Sequence, residues 1–233
     1  MHVLQWCRER DYPLNLVTCN AAASNGHLDV VQWCRENGCA WDETTCTTAA
    51  MNGHLNVLQY ARENGCPWGL YTFEFAAMNG HLNVLKYARE NDCPWNAKKM
   101  CNTAASIGRL DMLQWCLEQG CPWGEMTCWC AATKGHFEIL NWCRKNGCPW
   151  DASVMCNIAA THGHLDILQL CRAQGCPWDA TTCASAAAHG HLHVLQWLRQ
   201  NGCPWDAETY RCAEQFRLTH IVEWAQKNGC PRE

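Results

Sequence analysis

Apolar and polar residues along this chain follow a helical period. In the segment LNVLQYAREN, apolar residues fall at Leu55, Val57, Leu58 and Ala61, and the positions between them are mostly polar. This one-sided pattern predicts a short amphipathic helix. An alanine-rich stretch precedes each such segment, and Asn-Gly or His-Gly separates the two. We therefore expect pairs of short helices joined by tight turns.

The helix pair recurs at a nearly constant step. The phrase Gly-Cys-Pro-Trp and its variants return every 27 or 28 residues, with their cysteines at Cys39, Cys66, Cys93, Cys121, Cys148, Cys176, Cys203 and Cys230. Such a step is typical of stacked repeats. We predict a single repeat domain over residues 1–233, with a half repeat at 1–13, repeats at 14–40, 41–67, 68–94, 95–122, 123–149, 150–177 and 178–204, and a C-terminal capping repeat at 205–233.

Helix ends are marked by their own residues. Asp42, Asp151, Asp179 and Asp206 stand two residues into their units, where each is predicted to be an N-cap. The Gly-Cys-Pro that ends most units combines a left-handed C-cap with a residue that cannot continue a helix. The chain begins with the bare second helix MHVLQWCRER, so we expect it to be part of a longer protein.

The consensus T-x-C-x-x-A-A-x-x-G-H-L-x-V-L, followed by N-G-C, resembles the ankyrin repeat over nearly the whole chain. Ankyrin units have about 33 residues, and the shortfall lies where ankyrins carry a β-hairpin finger. The resemblance implies an all-α, ankyrin-like helix-turn-helix solenoid with shortened or missing fingers. It also implies that the recurring turn histidines join neighbouring turns by hydrogen bonds: His27, His54, His81, His136, His164 and His191. Short Cys-Pro-Trp repeats of this kind resemble those of large-DNA viruses and protists.

We expect a monomer in the reducing cytoplasm that binds neither nucleic acid nor a membrane. The formal net charge is -4, and the basic residues form no run beyond Lys98-Lys99, so neither a nucleic-acid-binding stripe nor a polybasic membrane patch is expected. No apolar stretch is long enough to cross a bilayer, and the start lacks the apolar core of a signal peptide.

The 14 tryptophans follow the repeat. All but one occupy the first position of a unit (Trp41, Trp68, Trp95, Trp123, Trp150, Trp178, Trp205) or the twentieth (Trp6, Trp33, Trp115, Trp142, Trp197, Trp224). We interpret these as packing ladders. Trp129 alone lies outside both ladders.

The 21 cysteines are also periodic, which raises the possibility of metal binding. Thiols from adjoining units are expected to approach one another as the trios 34/39/46, 116/121/128, 143/148/156 and 171/176/183. Structural zinc needs four ligands, and the natural fourth, His54, is expected about 12 Å away along a helix. Other units carry apolar residues instead, such as Ala61 and Leu198. We therefore predict buried core thiols and no metal ligand or cofactor, with metal binding or thiol buffering as the alternative.

Enzymatic activity is not expected. A catalytic histidine normally occurs once, beside a nucleophile and an orienting carboxylate, whereas the turn histidines are equivalent copies. No phosphate-binding glycine loop or isolated acid pair is present.

We expect the functional residues at the positions that differ from one repeat to the next. The two residues after the first-helix cysteine vary from unit to unit, and on a helix they share one arc, the inner, concave side of an ankyrin-like stack. The second helices instead repeat their polar residues. We predict a protein-binding scaffold whose concave surface uses Glu74, Phe75, Met78, Trp129, Lys134, Ile158 and His162. A substrate-recruiting part of a larger adaptor is a further alternative.

Overall fold

The structure, a computed structural model, describes residues 5–6, 9–10 and 15–232. Beyond the first ten residues its helices are α1 Leu16–Ser24, α2 Leu28–Glu36, α3 Glu43–Met51, α4 Leu55–Glu63, α5 Thr72–Met78, α6 Leu82–Glu90, α7 Ala97–Ser106, α8 Leu110–Glu118, α9 Glu125–Thr133, α10 Phe137–Lys145, α11 Ala152–His162, α12 Leu165–Ala173, α13 Ala180–Ala188, α14 Leu192–Gln200, α15 Ala207–Gln215 and α16 Thr219–Lys227. The described residues contain no strand, so the fold is an all-α helical repeat without β-hairpin fingers. The predicted fold class is confirmed.

The first helix of most repeats begins at a side-chain cap. Asp42 accepts a hydrogen bond from the backbone N–H of Thr44 at 2.9 Å, and Asp151, Asp179 and Asp206 cap α11, α13 and α15 in the same way. Each cap satisfies a backbone donor that has no partner within the helix. The predicted N-caps are confirmed.

The turn between the two helices of a pair is tied to the preceding repeat by a histidine. The Nε2 atom of His54 lies 3.0 Å from the carbonyl oxygen of Ser24, and His191 makes the same contact with Thr161. Gly26 sits under the His54 ring with φ of 73°, where an added Cβ would lie 2.6 Å from Nδ1. The turn therefore needs glycine for both its backbone and the histidine contact. The predicted structural role is confirmed for His54, His81, His136, His164 and His191, and for His27 it stays a prediction.

The chain divides into two compact units, Met1–Met100 and Cys101–Glu233. In the first unit α1, α3 and α5 pack side by side, and each packs against the second helix of its own repeat, α2, α4 or α6. Val57, Leu58 and Ala61 of α4 are fully buried, as the apolar pattern predicts. Whether residues 1–233 behave as a single domain stays a prediction.

The second unit repeats this packing. Helices α9, α11, α13 and α15 form one layer, and α10 and α12 pack together behind them. At the C-terminal end Tyr210, Ala225 and Cys230 form a small buried cluster beneath Trp205 and Trp224. Both units therefore expose one face made of first helices and one made of second helices.

Candidate functional site

On the first helices, the residue after the helix cysteine bonds to a threonine 25 positions later. Thr45 donates to the Oδ1 atom of Asn20 at 2.6 Å, and Thr127 donates to Asn102 at 2.8 Å. Thr182 donates to Asn157, and the hydroxyls of Thr47 and Thr72 lie 2.9 Å apart. At these repeats the variable position joins neighbouring helices. Sequence analysis missed this role, although the constant spacing between the paired residues could have revealed it.

Trp129 occupies this position on α9. The partner position in the next repeat, directly before the helix cysteine Cys156, holds buried Met155 in place of a threonine, so no such hydroxyl bond can form. Trp129 and Met155 line a groove of about 180 Å³ together with Met126 and Val154. Met126 is 55% exposed, Trp129 43% and Val154 39%. Here the chain exchanges an internal hydrogen bond for a solvent-exposed apolar groove, which we call the Trp129 groove (Glu125, Met126, Trp129, Asp151, Val154, Met155).

Two carboxylates line the Trp129 groove. Glu125 opens α9 and Asp151 caps α11, and both are exposed. Hydrogen bonds from the hydroxyl and the backbone N–H of Ser153 hold the pKa of Asp151 below its usual value. The groove therefore combines an apolar floor with negative charge at its edge.

The other predicted residues of the second unit lie on the same two helices. Lys134 is the exposed C-cap of α9, Ile158 is half-buried on α11, and His162 is the exposed last residue of α11. Burial lowers the pKa of His162, and the charges of His164, His189 and Lys134 lower it further. Lys134 and His162 are thus close enough to interact electrostatically.

The first unit carries an apolar patch of its own on α5. Tyr71 and Phe75 have ring centroids 5.8 Å apart, and Met78 is 60% exposed. These three residues lie four and three positions apart and so share one helix face, with Glu74 beside Phe75. Sequence analysis named Glu74, Phe75 and Met78 but missed Tyr71, Met126 and Val154. Large apolar residues where other first helices carry threonine were the available signal, as Met126 against Thr181 shows.

The second helices and connecting turns hold the predicted tryptophan ladders. Arg35 lies over the Trp41 ring at 4.0 Å and Arg172 over Trp178 at 3.9 Å, which are cation–π contacts from one repeat to the next. The Trp178 ring also meets Trp197 edge-on at 5.8 Å.

A larger cavity of about 450 Å³ lies against the last of these rings. Its main groups already contact one another: Arg199 lies over Trp205, and Trp205 meets Trp224 edge-on at 5.7 Å. This cavity is therefore lined by side chains of the structural ladder.

The cysteines are core side chains that also donate weak hydrogen bonds. None of the described cysteines forms a disulfide, and all but Cys130 and Cys212 are buried. The thiol of Cys66 donates to the carbonyl of Asp42 at 3.1 Å, and Cys203 does the same to Asp179 at 3.3 Å. Burial raises the pKa of Cys19 to about 11, as expected for a thiol in an apolar interior.

The predicted cysteine trios between adjoining repeats are wrong. Among the described residues, the thiols that come together are Cys128, Cys143 and Cys148 of a single repeat, with all Sγ atoms within 4.8 Å of one another. The trios 34/39/46, 116/121/128, 143/148/156 and 171/176/183 do not form such groups in this part of the chain. The reason is that the Gly-Cys turn folds back under its own first helix, where Cys148 donates to the Gly124 carbonyl at 3.4 Å.

Paired helices, histidine-linked turns and a variable first-helix face define a helical-repeat protein. Residues 19–62, which span most of α1 to α4, match the family model for ankyrin repeats (many copies). This part of the chain therefore matches the ankyrin-repeat family, and ankyrin repeats are generally protein–protein interaction modules. No curated protein matches the chain. No helix in the described part of the chain combines the length and apolar character needed to cross a membrane.

Proposed function

We propose that this chain is a non-enzymatic, monomeric, cytoplasmic binding module that recognises a segment of another protein on its first-helix surface. The observation that carries the proposal is the Trp129 groove. Tryptophan is enriched among the residues that dominate binding energy, especially in a pocket that excludes water. At the equivalent positions of neighbouring first helices, Asn102 and Asn157 instead accept hydrogen bonds that join one repeat to the next.

The chemistry of the groove indicates the kind of segment that it takes. An apolar side chain would lie against Met126, Trp129 and Val154, and its burial would contribute about 1.5–3 kcal/mol. Glu125 and Asp151 would favour lysine or arginine next to that apolar anchor, through charge complementarity. We therefore expect a short segment with one large apolar residue flanked by basic residues. Phe75 and Met78 on α5 form a second candidate contact surface in the first unit.

The test is a selection from a displayed random peptide library with the full chain as bait. Enriched peptides are synthesised, and their Kd is measured against wild type and Trp129→Ala. We expect the enriched peptides to carry one large apolar residue flanked by basic residues. Trp129→Ala should bind them about 30-fold or more weakly than wild type, because a hot-spot residue contributes about 2 kcal/mol or more.

Phe216→Ala is the matched control, since Phe216 is an exposed aromatic residue of the same unit, at 57%, outside the groove. Its affinity should equal that of wild type. Enriched peptides that bind Trp129→Ala as well as wild type would contradict the proposal, as would a selection that enriches no sequence pattern.

A further inference from the structure

One repeat gathers three thiols into a buried cluster. Cys128 lies in the middle of α9, Cys143 near the end of α10, and Cys148 in the turn that follows. All three residues have 0% exposure, and their Sγ atoms lie within 4.8 Å of one another. The interaction surface does not use them, since they lie beneath the helices and away from solvent.

The cluster supplies three sulfur ligands and no fourth protein ligand. Among the described residues, no histidine, aspartate, glutamate or further cysteine belongs to the group; Cys101 of the preceding repeat interacts electrostatically with Cys143 and Cys148 but lies outside it. Structural zinc sites are tetrahedral with four protein ligands. A zinc ion here would lack a ligand, and burial leaves no access for water to replace it.

Charge provides a second constraint. A monovalent copper ion held by three thiolates carries two negative charges, and burying uncompensated charge is costly. The cation next to the cluster is Arg144, which donates to the carbonyl of Cys148 at 2.7 Å and also lies over Trp150 at 4.3 Å. One guanidinium offsets at most one of the two charges.

We propose that Cys128, Cys143 and Cys148 form a binding site for trivalent arsenic. As(III) takes three sulfur ligands in a pyramid, with its lone pair at the fourth corner, so three thiols complete its coordination. The step balances without an oxidant or reductant: As(OH)3 and three cysteine thiols give As(SCys)3 and three water molecules. Three As–O bonds and three S–H bonds break, three As–S bonds form, and each hydroxide leaves as water with a thiol proton. The product is neutral and fits an apolar interior.

The sequence contains an internal comparison for this site. The next repeat has cysteines at the same three positions, Cys156, Cys171 and Cys176, yet their sulfurs do not form a group within the same distance. The repeat 41–67 carries buried Ala61 where the cluster has Cys143. Cys143→Ala therefore introduces a side chain that another repeat already accommodates, and Cys171→Ala is its matched control.

The experiment is titration of the full reduced chain with arsenite, followed by native mass spectrometry and a free-thiol count in each variant. We expect wild type to take up one arsenic atom tightly, with the mass of arsenic less three hydrogens and a loss of three thiols. Cys171→Ala should behave like wild type, whereas Cys143→Ala should lose at least 100-fold in apparent affinity, about 2.7 kcal/mol. Circular dichroism of each variant verifies that the helices are retained. X-ray absorption at the arsenic edge should show three sulfur neighbours.

Three outcomes would overturn the proposal: no tight uptake by wild type, equal uptake by Cys143→Ala, or an equal loss in Cys171→Ala. Zinc or monovalent copper binding at this cluster more tightly than arsenite, in competition on wild type, would also overturn it. Because the thiols are buried, uptake should require local opening and should accelerate in mild denaturant.

Discussion

Replacing Ala184 with asparagine supplies the hydrogen-bond partner that Thr209 lacks. The Oγ1 atom of Thr209 is buried and has no partner among the described residues. Ala184 stands 25 positions earlier, the same spacing at which Asn157 accepts from Thr182. Asparagine at position 184 should therefore accept from Thr209 in the geometry that the preceding repeat already shows.

The size of the effect follows from two opposing contributions. Leaving a buried hydroxyl unsatisfied costs about 1–3 kcal/mol. Asparagine is a weaker helix former than alanine by about 0.6 kcal/mol. We expect Ala184→Asn to raise the free energy of unfolding by about 1 kcal/mol, or Tm by about 2–4 °C.

Urea unfolding followed by circular dichroism measures the change, and Thr209→Val tests its origin. Valine removes the hydroxyl, so Ala184→Asn should stabilise the wild-type chain but not the Thr209→Val chain. Equal stabilisation in both backgrounds, or none in either, would refute the assigned hydrogen bond. In the opposite direction, Asn157→Ala should destabilise by about 1–3 kcal/mol, because it leaves the buried Thr182 hydroxyl without its acceptor.

Three further changes test other parts of the fold. Arg217 has φ of 57° where most other repeats carry glycine. Arg217→Gly should therefore raise the free energy of unfolding in urea by about 1 kcal/mol. An unchanged urea midpoint would argue against backbone strain at Arg217. Leu117 stands where other repeats place an arginine over the next tryptophan. Leu117→Arg should therefore raise the free energy of unfolding by about 0.5–1 kcal/mol through a cation–π contact with Trp123, measured by urea unfolding. The same substitution in a Trp123→Leu background should give no increase. Burial lowers the pKa of His191 in the folded state below the 6.5 of the unfolded chain. Between these two pKa values the folded state binds fewer protons than the unfolded chain, so the free energy of unfolding should fall as the pH drops below 6.5. That fall should shrink in His191→Asn, measured by urea unfolding across the window; an unchanged pH profile would contradict the assignment.

The repeat could be predicted from sequence because each unit repeats its own signals. Asp42 as N-cap, the Gly-His turn and the spacing of Val57, Leu58 and Ala61 all depend on short-range geometry, which the periodic pattern determines. The missing hairpin fingers followed from the resemblance to ankyrin repeats, because the unit is shorter than theirs where they carry the finger. These features needed no knowledge of how distant segments meet.

The contacts within each repeat were harder to predict. Whether Cys148 meets Cys128 of its own repeat or Cys156 of the next depends on the path of the Gly-Cys turn, and sequence spacing gives no information about that path. The same limit applied to Asn20 and Asn157. Their variation resembled that of a binding surface, whereas the structure uses them to bond one repeat to the next. Trp129 could be singled out because no periodic role accounted for it.

The claim that the Trp129 groove binds a partner segment is tested most directly by replacing the groove residues with those of another repeat. Met126→Thr, Trp129→Ala and Val154→Thr together replace the groove with residues that the repeat at 178–204 carries at the equivalent positions, so the helices should remain intact. Parallel peptide-library selections are run on wild type and on this triple variant, with circular dichroism to verify the fold. Enrichment of basic–apolar peptides by wild type alone is the predicted result. The same peptides enriched by a folded triple variant would show that recognition does not use the Trp129 groove.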